Sequence, residues 1–233
     1  MDVPFFYVDV VLEEGAVVTP PEDTARHMVQ VLRMREGEQL VLTNGQGRSA
    51  ACIIQSTSKK LCTILVGEVT VWPNRKKQIT IAISLLKNAN RFEWFLEKAA
   101  ELGVSRVVPL QCTRTEKQHF RKDRALTILV SALQQSQQAW LTEITELTSF
   151  DAFLKQPTTG SAFIAHCEPS EKQVLSGVGL AAATILIGPE GDFTPSEIDA
   201  AIQKGFIPVT LGDTRLRTET AGIVAAVKLI LEN

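Results

Sequence analysis

The apolar positions of the chain change period once, and that change divides it in two. Residues 5–11, 39–43, 49–56 and 61–69 are short runs rich in β-branched side chains. Turn residues separate them, at Asn44-Gly45-Gln46-Gly47 and at 56–60, the pattern of strands joined by tight connections. One helix is predicted among them: Pro21-Glu22-Asp23 opens it, and Ala25, Met28, Val29 and Leu32 recur at helical spacing. The expectation is a small β-barrel crossed by a helix over residues 1–72. Trp72-Pro73-Asn74-Arg75-Lys76-Lys77 breaks the pattern and marks the boundary.

From residue 78 onward, strand alternates with helix. Residues 79–85 form a continuous apolar run, and Phe92, Phe95, Leu96, Ala99 and Leu102 mark an amphipathic helix that ends at Gly103. Strands are predicted at 106–110, 161–165, 184–187 and 208–211. Helices are predicted over 125–140, from Pro195, and over Thr218–Leu231. Such alternation, with apolar strands, predicts an α/β domain over 73–233: a parallel sheet with helices on both faces.

Composition narrows the class. At 45% hydrophobic and 21% charged residues, the 233-residue chain is neither disordered nor membrane-spanning in character. No apolar stretch is long enough to cross a bilayer. The start, Met1-Asp2-Val3-Pro4, lacks the features of a signal peptide. Cys52, Cys62, Cys112 and Cys167 show no paired spacing, so no structural metal is expected, and reduced thiols in a cytoplasmic protein are. A net charge of −2 opposes global attraction to a polyanion. Local clusters run the other way: Arg114, Lys117, Arg121, Lys122 and Arg124 stand against Glu116 and Asp123, with Arg75-Lys76-Lys77 and Lys87 with Arg91 elsewhere. A solvated basic face explains them equally well.

Two loops concentrate the chemistry. The strand at 184–187 runs into Gly188-Pro189-Glu190-Gly191-Asp192-Phe193, before a helix whose start, Thr194-Pro195-x-Glu197, is a capping box. The strand at 208–211 runs into Gly212-Asp213-Thr214-Arg215-Leu216-Arg217-Thr218-Glu219. Loops at the carboxyl ends of parallel strands are where open α/β sheets bind ligands. Small residues at Ala221, Gly222, Ala225 and Ala226 let the last helix pack closely on a neighbour. A glycine-rich dinucleotide motif is suggested by Gly177-Val178-Gly179 but precedes its strand, so it fails its context test.

Ile187-Gly188-Pro189-Glu190-Gly191, with the later Leu211-Gly212-x-x-x-Leu216-Arg217-Thr218-Glu219-Thr220-Ala221, resembles the two cofactor-loop signatures of the RsmE family of SPOUT RNA methyltransferases. Further matches are Lys87, Glu93, Glu97-Lys98-Ala99-Ala100-Glu101-Leu102-Gly103-Val104, Gln135-Ser136, and Arg26-His27-Met28 with Val31-Leu32-Arg33 and Gly37-Glu38. The resemblance spans nearly the whole chain. Three positions depart from the family pattern: Asp192 replaces a glycine, Gln138 replaces an arginine, and Pro4 stands where an arginine precedes Phe-Phe.

The resemblance implies a PUA-like RNA-binding barrel and a SPOUT domain with a trefoil knot, assembled as a homodimer. It implies S-adenosylmethionine as cofactor and N3 of a uridine in 16S ribosomal RNA, within the small ribosomal subunit, as target. Carried over by position, Ala165, His166, Ile187, Gly188, Pro189, Glu190, Gly191, Leu211, Gly212, Leu216 and Arg217 hold the cofactor. Arg217 is expected to stabilise charge on the uracil, with Glu219 orienting it or acting as base. Arg33, Arg114, Arg121 and Lys122 are expected to contact RNA. A SPOUT enzyme for another RNA position and a non-catalytic RNA-binding protein are the alternatives.

Overall fold

The computed structural model describes residues 3–58 and 61–232, so Met1, Asp2, Asn233 and, of the turn expected at 56–60, Lys59 and Lys60 lie outside the described residues. The chain forms two compact units: Met1–Asn74 with Leu133–Leu141, and Arg75–Ala132 with Thr142–Asn233.

The first unit is built on a five-stranded sheet of order β1-β3-β4-β5-β2. Its strands are β1 (Phe5–Tyr7), β2 (Val17–Val18), β3 (Gln39–Thr43), β4 (Arg48–Thr57) and β5 (Cys62–Val71). Alternation sends Ala50, Cys52 and Ile54 of β4, and Cys62, Ile64 and Val66 of β5, into one core with Leu40, Leu42 and Met28. The strand expected over 5–11 stops at Tyr7. It pairs in parallel with β3, and β3 ends at Thr43, where the Asn44 side chain accepts the amides of Gln46 and Arg48 and turns the chain. With no partner strand left, Val10 and Val11 are exposed.

The expected helix also differs. A single α-turn, α1 (Glu22–Arg26), passes into a π-helical turn at His27–Val31, closed by Leu32 N donating to His27 O. Widening the turn breaks the i, i+4 register. Ala25 and Met28 therefore remain buried while Leu32 is 46% exposed. Arg33 follows with φ of 57°.

The second unit contains β6 (Gln78–Ser84), α2 (Ala89–Leu102), β7 (Arg106–Gln111), α3 (Lys122–Gln135), β8 (Glu143–Ile144), β9 (Thr148–Ser149) and α4 (Phe150–Leu154). It continues with β10 (Ser161–Ala165), β11 (Gln173–Val174), β12 (Ala182–Ile187), α5 (Pro195–Gln203), β13 (Ile207–Thr210) and α6 (Thr218–Leu231). Its sheet has the order β11-β13-β10-β12-β6-β7-β8, with β9 also on β7, and its pairings are parallel. The helix expected to reach Trp140 stops at Gln135. Gln137 turns left-handed (φ 53°), Gln138 N donates to Leu133 O, and Gly47 of the first unit's sheet takes Ala139 O. Tertiary partners thus claim residues 136–141 before the helix can extend.

Strand β10 lies between β12 and β13, pairing Ala165 with both Ile187 and Val209. Three strand ends therefore fall in one row. Behind them, α6 is drawn hard against the sheet and α2: a Cβ on Gly222 would lie 2.6 Å from Phe95 Cε2 and 3.0 Å from Ile83 Cδ1. Ala225 and Ala226 are fully buried. The small-residue face of α6 is thus used within the chain.

Gly222→Ala should lower stability by about 1–3 kcal/mol, the usual cost of overpacking a filled core, although alanine favours a helix. Denaturant unfolding measures it, and Phe95→Leu in the same background should recover part of the loss. A variant as stable as the parent would show that the contact yields freely.

Candidate active site

A cavity of about 680 Å³ opens at that row of strand ends, within the roughly 300–1,000 Å³ usual for small-molecule sites. Ala165, His166, Ile187, Gly188, Pro189, Glu190, Leu211, Gly212, Leu216 and Arg217 line it, as do Arg91, Cys167, Lys172, Asp192, Arg215 and Thr218. Gly191, also expected there, is not among the lining residues, and a Cβ on it would lie 3.4 Å from Arg114 Cδ.

The loop after β12 is tightly tied. A side chain at Gly188 would be crowded, because a Cβ would meet the Phe193 ring at 3.1 Å. Arg114 Nη1 donates to Gly191 O at 2.7 Å and to Phe193 O at 3.4 Å. Glu197, the capping-box acid of α5, accepts the Thr194 amide and reaches back to Thr113 N at 2.8 Å. Burial pushes the pKa of the Glu197 carboxyl up, but its hydrogen bonds from Thr113 and Thr194 outweigh burial and hold it below the ordinary glutamate value. Arg114, expected at RNA, is engaged here as a clamp on the loop.

Asp192 adopts φ of 64°, a left-handed backbone that aspartate tolerates better than most side chains. Its Oδ1 accepts Phe193 N at 2.8 Å and its Oδ2 accepts Cys167 N at 2.7 Å. The carboxylate thereby fastens this loop to the end of β10. Arg215, from the loop after β13, lies beside Cys167 and Asp192. A hydrogen bond with Cys167, and then the Asp192 charge, hold its guanidinium pKa above the ordinary arginine value.

His166 is 8% exposed and neither ring nitrogen has a hydrogen-bond partner. Burial, then the Lys172 charge, push its pKa down, against opposing pulls from Asp192 and Glu168. The imidazole is therefore neutral near pH 7, and a ligand supplying polar atoms would relieve its two orphaned nitrogens.

The expected Arg217–Glu219 couple is arranged differently. Arg217 is the exposed N-cap of α6, without a side-chain cap. Glu219 is buried at 7% exposure, and its ion pair is with Arg91 Nε at 3.7 Å. Arg33 is exposed in the first unit. Arg121 pairs with Asp123 at 2.9 Å and Lys122 with Glu146 at 3.2 Å. In the sequence Arg91 stands out only as part of a basic cluster; its place one helix turn before Phe95 is the signal that ties it to this site. Lys172, Cys167 and Arg215 carried no periodic signal. Among the described residues, no cluster of three or more metal-ligating side chains occurs, and no helix is long and apolar enough to cross a membrane.

A histidine with a depressed pKa binds its proton more readily in the unfolded chain, so stability is present above the unfolded value and is lost as pH falls below it. Between about pH 7.5 and about pH 5.5, where carboxylates stay ionised, the parent should lose more thermal stability than His166→Gln. Equal losses in melting scans would remove His166 as a source of that slope.

The family model describing an RNA methyltransferase domain matches residues 73–230, and the one describing an RNA methyltransferase PUA domain matches residues 20–67. Ribosomal RNA small subunit methyltransferase E of Bacillus subtilis is 27% identical, covering 92% of this chain and 90% of its own. That of Mycobacterium bovis is 30% identical, covering 94% and 88%. The crystal structure of a ribosomal RNA small subunit methyltransferase E from Neisseria gonorrhoeae, bound to S-adenosylmethionine, superposes with a TM-score of 0.87 at 27% identity, over 97% of this chain and 96% of that one. A PUA domain ahead of a parallel α/β domain, with both loop signatures meeting at one cavity, completes the case: the chain belongs to the RsmE family of S-adenosylmethionine-dependent RNA methyltransferases.

Proposed function

We propose that this enzyme methylates N3 of a uridine in 16S ribosomal RNA, within the small ribosomal subunit, as a cytoplasmic homodimer. The observation that carries the reading is the row Ala165–Ile187–Val209, which brings both signature loops to one cavity beside cationic side chains. The cavity fits the cofactor: Ile187, Leu211 and Leu216 offer apolar walls, the tight turn at Gly188 allows close backbone approach, and His166 has unmet hydrogen bonds.

When bound, S-adenosylmethionine supplies a methyl group activated by its sulfonium. The protein must hold N3 in line with that methyl and stabilise charge spreading onto the uracil oxygens as N3 loses its proton. Arg217, exposed at the start of α6 on the cavity wall, is suited to the second task. For the RNA backbone, Arg33, Arg121 and Lys122 are the candidates. The Asp123 and Glu146 partners of the last two form exposed, solvent-screened pairs, which a phosphate can displace.

The knotted threading enters this reading through the family resemblance, and near the end of α6 two segments distant in sequence pack closely. A Cβ on Gly177 would lie 2.4 Å from Lys228 O, in the last turns of α6. Lys77 Nζ donates to both Gly177 O and Glu232 O.

For the dimer, the face of α6 that the chain leaves uncovered is apolar. Ile223, Val224, Ile230, Val227 and Leu231 are half-exposed or exposed. A helix that is apolar all round requires a second covering surface. This face replaces Ala221, Gly222, Ala225 and Ala226 as the basis for the dimer.

Small-subunit particles from a strain lacking the activity, incubated with enzyme and labelled donor, should gain one methyl at N3 of a uridine by mass spectrometry. A methyl on ribose or on another base would overturn the reading. Val227→Lys should convert the dimer to a folded monomer by light scattering; an unchanged mass would place the interface elsewhere.

A further inference from the structure

The carboxylate of Glu219 is 9% exposed, in the first turn of α6. A helix start favours negative charge, but burying a carboxylate is costly unless a cation accompanies it. The cation is Arg91, whose Nε lies 3.7 Å from Glu219 Oε1. Arg91 belongs to α2, is 40% exposed, and lines the cavity. The pairing follows from helix packing: Arg91 precedes Phe95 by one turn, Glu219 precedes Gly222 by three residues, and Phe95 sits on Gly222. Contact through Nε leaves the two terminal nitrogens of the guanidinium for a ligand.

We propose that Glu219 is a positioning residue for Arg91, and that Arg91 acts beside Arg217 at the reacting nucleotide, donating to one of the two uracil oxygens that become anionic. This rests on the uridine-N3 reading. In that step the donor's C–S bond breaks and an N3–C bond forms. The N3 proton passes to water, and the donor leaves as a neutral thioether. Glu219, enclosed against Arg91, is then not the proton acceptor.

The geometry favours the base oxygen over an RNA phosphate. An arginine paired with a buried glutamate is nearly neutral at a distance, so it steers a polyanion poorly. At short range the pair keeps the guanidinium at the cavity wall, where a donor can stabilise charge developing in a transition state.

The test uses the full-length enzyme on small-subunit particles, with single-turnover rates at saturating cofactor and RNA and separate affinities for each. Arg91→Ala should lower the rate by about 10²-fold, the scale of one preorganised donor, with both affinities within a few-fold of the parent. Glu219→Gln should lower it less, without changing the shape of the pH–rate profile. Arg91→Ala with Glu219→Gln should be no slower than Arg91→Ala alone, since residues acting as one unit are not additive.

Multiplying effects, or loss of the acidic limb from the Glu219→Gln profile, would make Glu219 an independent group and overturn the proposal. A loss confined to RNA affinity, with a shallower salt dependence, would make Arg91 a phosphate contact and also overturn it. Should Arg91→Ala fail to fold, Arg91→Lys keeps the ion pair, and a parental rate for it would count against the role, because an ammonium lacks the fork. A parent that methylates some other position fails the underlying reading first, and is recognised by the position of the methyl.

Discussion

The contact on which the active end of the molecule depends is the seating of α6 against Phe95 and Ile83 through Gly222. A side chain at that position would push α6 away from both α2 and β6. Its first turn carries Thr218 and Glu219, and the residue before it is Arg217, so any displacement would move one wall of the cavity. Interiors pack too densely to absorb such a shift locally. The same contact sets the register that faces Arg91 toward Glu219.

Around this fixed helix, the two loops are held by different means. The loop after β13 enters α6 directly, so its end moves with the helix. The loop after β12 is fastened from three directions: Arg114 on its carbonyls, Asp192 on Cys167 N, and Glu197 on Thr113. Charged groups make the stronger hydrogen bonds, and all three fasteners are charged. Asp192, a departure from the family pattern, is thus a fastener in its own right. Its charge is taken up by two amides and by the nearby Arg215.

Net charge and local charge give different impressions of the RNA side. The chain is net negative, and most of its conspicuous cations have acidic partners: Lys87 with Glu116, Arg121 with Asp123, Lys122 with Glu146, Arg124 with Glu93. Such exposed pairs contribute little to folding. They lower the long-range pull on RNA while keeping cations that can exchange partners on contact.

The local sequence determined a good deal by itself. The alternation of apolar strands and amphipathic helices announced a parallel α/β unit, because burial on both faces forces continuous apolar strands. Thr194-Pro195-x-Glu197 announced the start of α5, because a capping box is satisfied within four residues. The loop signatures announced the cofactor site, because their glycines answer local backbone demands. The tertiary structure decided whatever needed a partner distant in sequence. Strand β1 ends early because β3 ends, α3 stops because residues 136–141 bond elsewhere, and Arg114 turns to the loop because Gly191 O is within reach. It also decided the partner of Glu219: proximity in sequence suggested Arg217, but that residue is the extended N-cap ahead of the helix, and packing brought up Arg91 from another helix instead.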